Sequence, residues 1–91
     1  MGVHFNLFDH LDLSDESIPG QTLVEIIGNN RVLIEHHMGI QTYSHEAVCV
    51  NVKFGFIHIC GNCLKLHKMT CEQLIVYGKI DSVILKRKES V

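Results

Sequence analysis

The stretch GFIHICGNCLKLHK, residues 55 to 68, decides the fold because apolar and polar side chains alternate on both sides of a Gly-Asn pair. Alternation with a period of two is typical of a strand that buries one face. Gly61 and Asn62 are residue types that favour the tight turn of a β-hairpin. We therefore predict a hairpin that pairs Cys60 with Cys63 and places the aliphatic side chains together on the core face.

Similar short runs of Val, Ile, Leu and Tyr begin at Thr22 and continue almost to the end of the chain, with glycines between them. No helical stretch of about 10 to 15 residues separates these runs, so neighbouring strands should pair antiparallel. The prediction is an all-β protein, a small antiparallel meander of about seven or eight short strands. A β-roll or solenoid-like coil is the alternative. The predicted strands lie near residues 22–27, 31–36, 39–43, 47–53, 55–60, 63–68, 73–78 and 80–86.

Glycines mark the expected turns and bends between these strands, since glycine tolerates backbone conformations that other residues avoid. The predicted structural glycines are Gly28, Gly39, Gly55, Gly61 and Gly78.

Residues 1–20 differ in composition from the rest and end in Pro19 and Gly20. Phe5, Phe8 and Leu11 have the spacing of a short amphipathic helix, or they belong to a packing arm. We therefore predict an N-terminal arm or helix over residues 1–20 and a single all-β domain over residues 21–88.

Length and composition limit the classes of function. A chain of 91 residues has a small core, so self-association would add stability and a homo-oligomer is expected. Eight basic against ten acidic residues give no basic face for nucleic acid. No apolar run approaches the roughly 20 residues of a membrane span, and the start does not resemble a secretion signal. We predict a cytoplasmic protein with reduced cysteines.

The stretch also contains a possible metal site. Cys60, Cys63, His67 and Cys71 have the spacing C-x2-C-x3-H-x3-C and could supply four ligands to tetrahedral zinc. The two later gaps are each one residue shorter than in a zinc knuckle, and the strands already have an apolar face for a core. We therefore predict no metal or cofactor and keep a metal- or thiol-responsive module as the alternative function.

Catalytic groups are difficult to find in this sequence. Cys49 lies within the alternating run AVCVNV, and no neighbouring residue marks its thiol as activated. One residue of the pair His36 and His37 should face inward as a neutral histidine bonded to backbone. The carboxylates are scattered, without a pair suited to acid–base catalysis. We predict that the protein is not an enzyme and has no small-molecule substrate.

Across residues 11 to 86 the sequence resembles the YabP/YqfC sporulation-protein family, most closely its YqfC branch. The resemblance rests on LDLSDE, VLIEHHMGI, YSHEAV, GFIHICGNCLKL and LIVYGKIDSV. Ser14 stands where the family usually has proline, and the cysteines are not part of the family pattern. The resemblance implies a non-enzymatic protein of the mother cell that is needed for spore development, with a membrane-bound sporulation protein as a partner.

We accordingly expect a scaffold or adaptor that acts through self-association or a membrane-protein partner, with recruitment to the forespore membrane surface. An open sheet leaves edge strands that can pair with another chain, and the last strand is a candidate for such an edge. The residues expected on the partner surface are Phe5, Phe8, Leu11, Val83 and Leu85.

Overall fold

The computed structural model describes residues 20–88, which form six strands and contain no helix. The strands are β1 (Leu23–Ile27), β2 (Arg31–Glu35), β3 (Ile40–Tyr43), β4 (Ala47–Val52), β5 (Gly55–Met69) and β6 (Gln73–Arg87). The N-terminal arm or helix predicted from Phe5, Phe8 and Leu11 lies outside the described residues. Within residues 20–88, no helix has the length and apolar character needed to span a membrane.

All six strands belong to one sheet with the order β1-β2-β6-β5-β4-β3. Every neighbouring pair is antiparallel, which confirms the all-β antiparallel fold class. The predicted meander is confirmed for β3 to β6 but not for the whole sheet, because β2 lies beside β6 whereas β3 lies at the opposite edge. The solenoid-like alternative is wrong, since stacked coils would pair parallel strands.

The predicted count of seven or eight strands is wrong because four of the predicted strands merge into two. β5 and β6 are each 15 residues long and pair with one another along their length. The predicted hairpin turn at Gly61 and Asn62 does not form. Cys60 pairs with Ser82 of β6 and not with Cys63. The chain bends at this point without reversing its direction.

The bend occurs where β-bulges interrupt the register between β5 and β6, after Cys60 and again between Asn62 and Lys65. A bulge adds a residue to one strand and increases its local twist. Glycine on each strand lets the two backbones approach closely. A Cβ atom on Gly61 would collide with the carbonyl oxygen of Lys79, and one on Gly78 would lie 2.5 Å from the carbonyl oxygen of Cys63. The bend therefore depends on these two glycines.

The bend divides the sheet into two halves. The first half contains β1, β2, the start of β6 and the end of β5, and the second contains β3, β4, the start of β5 and the end of β6. Buried side chains from both halves form a single cluster, so the sheet folds over one shared core. The members of the core are Val32, Ile34, Val48, Val50, Val52, Ile57, Ile59, Leu64, Leu74 and Val76.

The connection between β2 and β3 crosses from one half of the sheet to the other. His37 in this connection is buried, and its Nε2 lies 2.9 Å from the carbonyl oxygen of Thr70 in the β5–β6 connection. The backbone N–H of Gly39 donates to Nδ1 of the same ring at 2.9 Å. Since Nδ1 must accept, Nε2 carries the proton and donates to Thr70. His37 is thus the inward-facing, backbone-bonded histidine that the sequence predicts.

Candidate interaction surface

The cysteine and histidine residues of the possible metal site are spread along β5 and beyond it. Cys60 is half-buried, whereas Cys63 and Cys71 are exposed, and all three are free thiols. Met69 lies six positions after Cys63 on β5, which is up to about 20 Å at about 3.3 Å per position, and Cys71 lies beyond Met69. Zinc requires sulfur ligands at about 2.3 Å. Across the described residues no three His, Cys, Asp or Glu side chains could hold a metal ion together, so the metal alternative gains no support.

Cys49 is a buried thiol on β4. Its Sγ donates to Oε1 of Gln41 at 3.3 Å. Burial raises the pKa of the Cys49 thiol above its ordinary value, because desolvation disfavours the thiolate. The thiolate is the nucleophilic form, so the surroundings of Cys49 suppress its reactivity.

A cavity of about 280 Å³ lies where the end of β2 meets the β5–β6 connection. Several of the polar groups around it bind one another or the backbone. Nε2 of Gln73 donates to Oε2 of Glu35 at 3.1 Å, and the N–H of Gln73 donates to Oγ1 of Thr70 at 2.9 Å. Nδ1 of His36 lies 3.0 Å from the carbonyl oxygen of Gln21. Gln73 thus joins the end of β2 to the β5–β6 connection, and we interpret the cavity as a structural junction.

A candidate for a binding surface is the outer side of residues 81–87, which we call the β6 edge. β2 covers the start of β6, over Gln73–Tyr77. Farther along β6, the N–H groups of Gly78 and Ile80 donate to the carbonyl oxygens of Asn30 and Asn29, which lie in the β1–β2 connection. Among residues 20–88, no strand pairs with the outer side of the remainder of β6. The β6 edge therefore offers backbone groups for pairing.

The register identifies which backbone groups of the β6 edge point outward. The N–H of Lys88 donates to the carbonyl oxygen of Phe54 at 2.7 Å, which makes this a hydrogen-bonded pair. Such pairs alternate along an antiparallel ladder, so Lys86, Ile84 and Ser82 also bond to β5. The residues between them direct their N–H and C=O groups away from the sheet. These outward residues are Val83, Leu85 and Arg87.

Apolar side chains project from both faces of the β6 edge. Leu85 lies opposite the buried Ile57 but is itself 59% exposed, and Ile84 on the other face is 45% exposed. Val83 packs partly against the core. An edge strand with free backbone groups and exposed apolar side chains is a template for another chain. The structure thus places two predicted surface residues, Val83 and Leu85, on this edge.

The sequence places Ile84 with Val83 and Leu85 on the candidate edge strand, but Ile84 is not among the residues predicted for the partner surface. The signal was present, since a strand with apolar residues on both faces reads as a continuous apolar run, here VIL at residues 83–85. Phe5, Phe8 and Leu11, the other predicted surface residues, lie outside the described range.

These features define the class of protein as a small all-β protein with a bent antiparallel sheet and an open apolar edge. The model of the YabP family matches residues 19–91, which is most of the chain. The chain belongs to the YabP family, and this membership suggests a sporulation-related protein. Searches of curated proteins and of solved structures gave no match.

Proposed function

We propose that this protein is a non-enzymatic scaffold or adaptor of the mother cell during spore development. In this proposal it acts through self-association or a membrane-protein partner at the forespore membrane surface. Membership of the YabP family supports a role in sporulation. The finer assignment to the YqfC branch rests on the sequence resemblance alone.

The observation that carries the scaffold proposal is the β6 edge. Val83, Leu85 and Arg87 direct their backbone groups outward, beside the exposed side chains of Ile84 and Leu85. Adding a strand to such an edge combines backbone hydrogen bonds, which supply affinity, with side-chain contacts, which supply specificity. An adaptor of this kind needs no reacting group.

Replacing Leu85 by proline tests this proposal. The N–H of Leu85 points away from β5, so proline removes a donor from the free edge without removing a bond of the β5–β6 ladder. In the endospore-forming bacterium that encodes the protein, we expect the Leu85→Pro strain to form as few spores as a strain lacking the gene. The purified variant should still unfold cooperatively, as measured by circular dichroism.

Met38→Lys is the matched control. Met38 is 64% exposed and lies in the β2–β3 connection, away from the β6 edge. This strain should form spores in normal numbers, because an exposed apolar side chain is removed without a change to the edge. Normal spore numbers in the Leu85→Pro strain would contradict the role of the edge. Normal numbers in the strain lacking the gene would contradict a role in sporulation.

A further inference from the structure

We infer that the β6 edge binds a second copy of this chain, with the two β6 strands antiparallel and a two-fold axis at Ile84. This inference rests on the proposed scaffold function and names the partner within it. The resulting dimer would join two six-stranded sheets into one continuous sheet.

The direction of the backbone groups limits the possible registers. In an antiparallel pair formed by two identical edges, outward residues must face outward residues, because only these have free N–H and C=O groups. An axis at Ile84 satisfies this condition. Val83 of each copy then forms a hydrogen-bonded pair with Leu85 of the other, and the two Ile84 residues face each other as a non-hydrogen-bonded pair. The outward backbone groups of Val83 and Leu85 in both copies thus gain hydrogen-bond partners.

The side chains favour the Ile84 axis over its neighbours. With this axis Val83 packs beside Leu85 of the other copy, and Ile84 packs beside its own copy. Cross-strand pairs of apolar residues stabilise a sheet.

Axes one or two residues farther along the strand produce poorer pairs. An axis at Leu85 places Val83 opposite Arg87 and Ile84 opposite Lys86, so each of these apolar side chains faces a cation. An axis at Lys86 places the two Lys86 ammonium groups opposite each other, and like charges at this position destabilise a sheet. The sequence of the edge is therefore self-complementary about Ile84.

Disulfide trapping tests both the partner and the register. In a non-hydrogen-bonded pair the Cα atoms are about 4.5 Å apart, within the range that a disulfide bridges. The full-length chain with Cys60, Cys63 and Cys71 changed to serine provides the background, because these are the more accessible thiols. On mild oxidation Ile84→Cys should give a dimer band that a reducing agent removes. The background protein without this substitution should stay monomeric in the same denaturing gel.

Leu85→Cys in the same background tests the neighbouring axis. With the axis at Ile84, Leu85 of one copy lies opposite Val83 of the other and two residues away from the other Leu85. Cysteines at the two Leu85 positions would therefore not face each other, and this variant should give little disulfide-linked dimer. A dimer with Leu85→Cys but not with Ile84→Cys would overturn the inferred register.

Native mass tests the partner independently of any introduced cysteine. Under reducing conditions, light scattering should give twice the chain mass of 10.3 kDa for the unaltered protein and the single mass for Leu85→Pro. A monomer at high concentration, without trapping at Ile84→Cys, would overturn the second copy as the partner. A sporulation defect in the Leu85→Pro strain would then still support a scaffold with a different partner, so the two failures are distinguishable.

Discussion

At the scale of single residues, His37 joins the β2–β3 connection to the β5–β6 connection, because both of its ring nitrogens form hydrogen bonds with backbone groups. Replacing it by alanine leaves the N–H of Gly39 and the carbonyl of Thr70 without these partners. We expect His37→Ala to lower the free energy of unfolding by about 2 to 4 kcal/mol, measured by denaturant titration. His45→Ala, which removes an exposed ring, should change it by less than about 0.5 kcal/mol. Equal effects of the two substitutions would contradict the structural role of His37.

Cysteine reactivity should follow burial. Burial raises the pKa of the Cys49 thiol, so its thiolate fraction at a given pH is lower than that of an exposed thiol. With a maleimide reagent at neutral pH we expect Cys63 and Cys71 to be modified first and Cys49 last, as measured by mass spectrometry of peptides. Cys49 should remain protected close to pH 9.0, the ordinary pKa of the group, until denaturant is added. Early modification of Cys49 in the folded protein would contradict this order.

Alternation correctly predicts that one histidine of the pair faces inward but would assign the wrong one. Val32 and Ile34 are buried, so continued alternation would place His36 in the core. The strand ends at Glu35, and His36 adopts a positive φ of 64°, which changes the direction of the following side chains. Nothing in the local sequence indicates this turn, since its partners, Gln21 and Glu72, come from distant segments.

At the scale of elements, the bend in β5 and β6 depends on close approach at Gly61 and Gly78. A methyl group on Gly61 would collide with the backbone of Lys79, which cannot move without disturbing the ladder. We expect Gly61→Ala to lower the free energy of unfolding by about 2 kcal/mol or more.

Gly28→Ala is the control for this prediction. Gly28 has a φ of 58°, but its nearest neighbour would be an asparagine side chain at 3.8 Å, so only the backbone conformation opposes the methyl group. That cost is about 1 to 2 kcal/mol. Denaturant titration should give a lower free energy of unfolding for Gly61→Ala than for Gly28→Ala. The reverse order would contradict the claim that the close approach of the backbones at Gly61 determines the cost.

The pattern of residues 55–68 predicts which side chains enter the core but not how the chain continues. Ile57, Ile59 and Leu64 are buried and Leu66 packs beside them, as a hairpin would also require. A two-residue turn and a bulged bend both shift the alternation, so both place these four residues on one face. Local sequence therefore cannot distinguish the two. The choice depends on pairing with β6, which is a distant part of the chain.

At the scale of the whole molecule, the strand order could not be predicted from local patterns. Short connections favour pairing of consecutive strands, but β2 and β3 lie on different halves of the sheet. Four residues lie between them, and the N–H of one, Met38, donates to the carbonyl of Asn51 in β4. The apolar run at residues 83–85 favours an edge position, but β6 lies between β2 and β5, and among residues 20–88 only its last part has no strand on the outer side. The role of this edge as a partner surface stays a prediction.

The shared core predicts that both halves of the sheet unfold together. Ile34 belongs to the first half and Ile57 to the second, and both are fully buried in one cluster. We expect Ile34→Ala and Ile57→Ala each to lower the free energy of unfolding by about 2 to 5 kcal/mol. In each variant a single transition should remain, because neither half has a separate core.

The two tyrosines allow this cooperativity to be measured. The chain has no tryptophan, and its tyrosines are Tyr43 on β3 and Tyr77 at the start of β6, one in each half of the sheet. Fluorescence of Tyr77→Phe reports on the second half, and fluorescence of Tyr43→Phe reports on the first. In each single-tyrosine protein, the fluorescence transition should coincide with the circular dichroism transition of that same protein, because unfolding either half exposes the core of the other. Separate transitions would show that the bend divides the molecule into two independent units, and the long β5–β6 hairpin would then be a hinge.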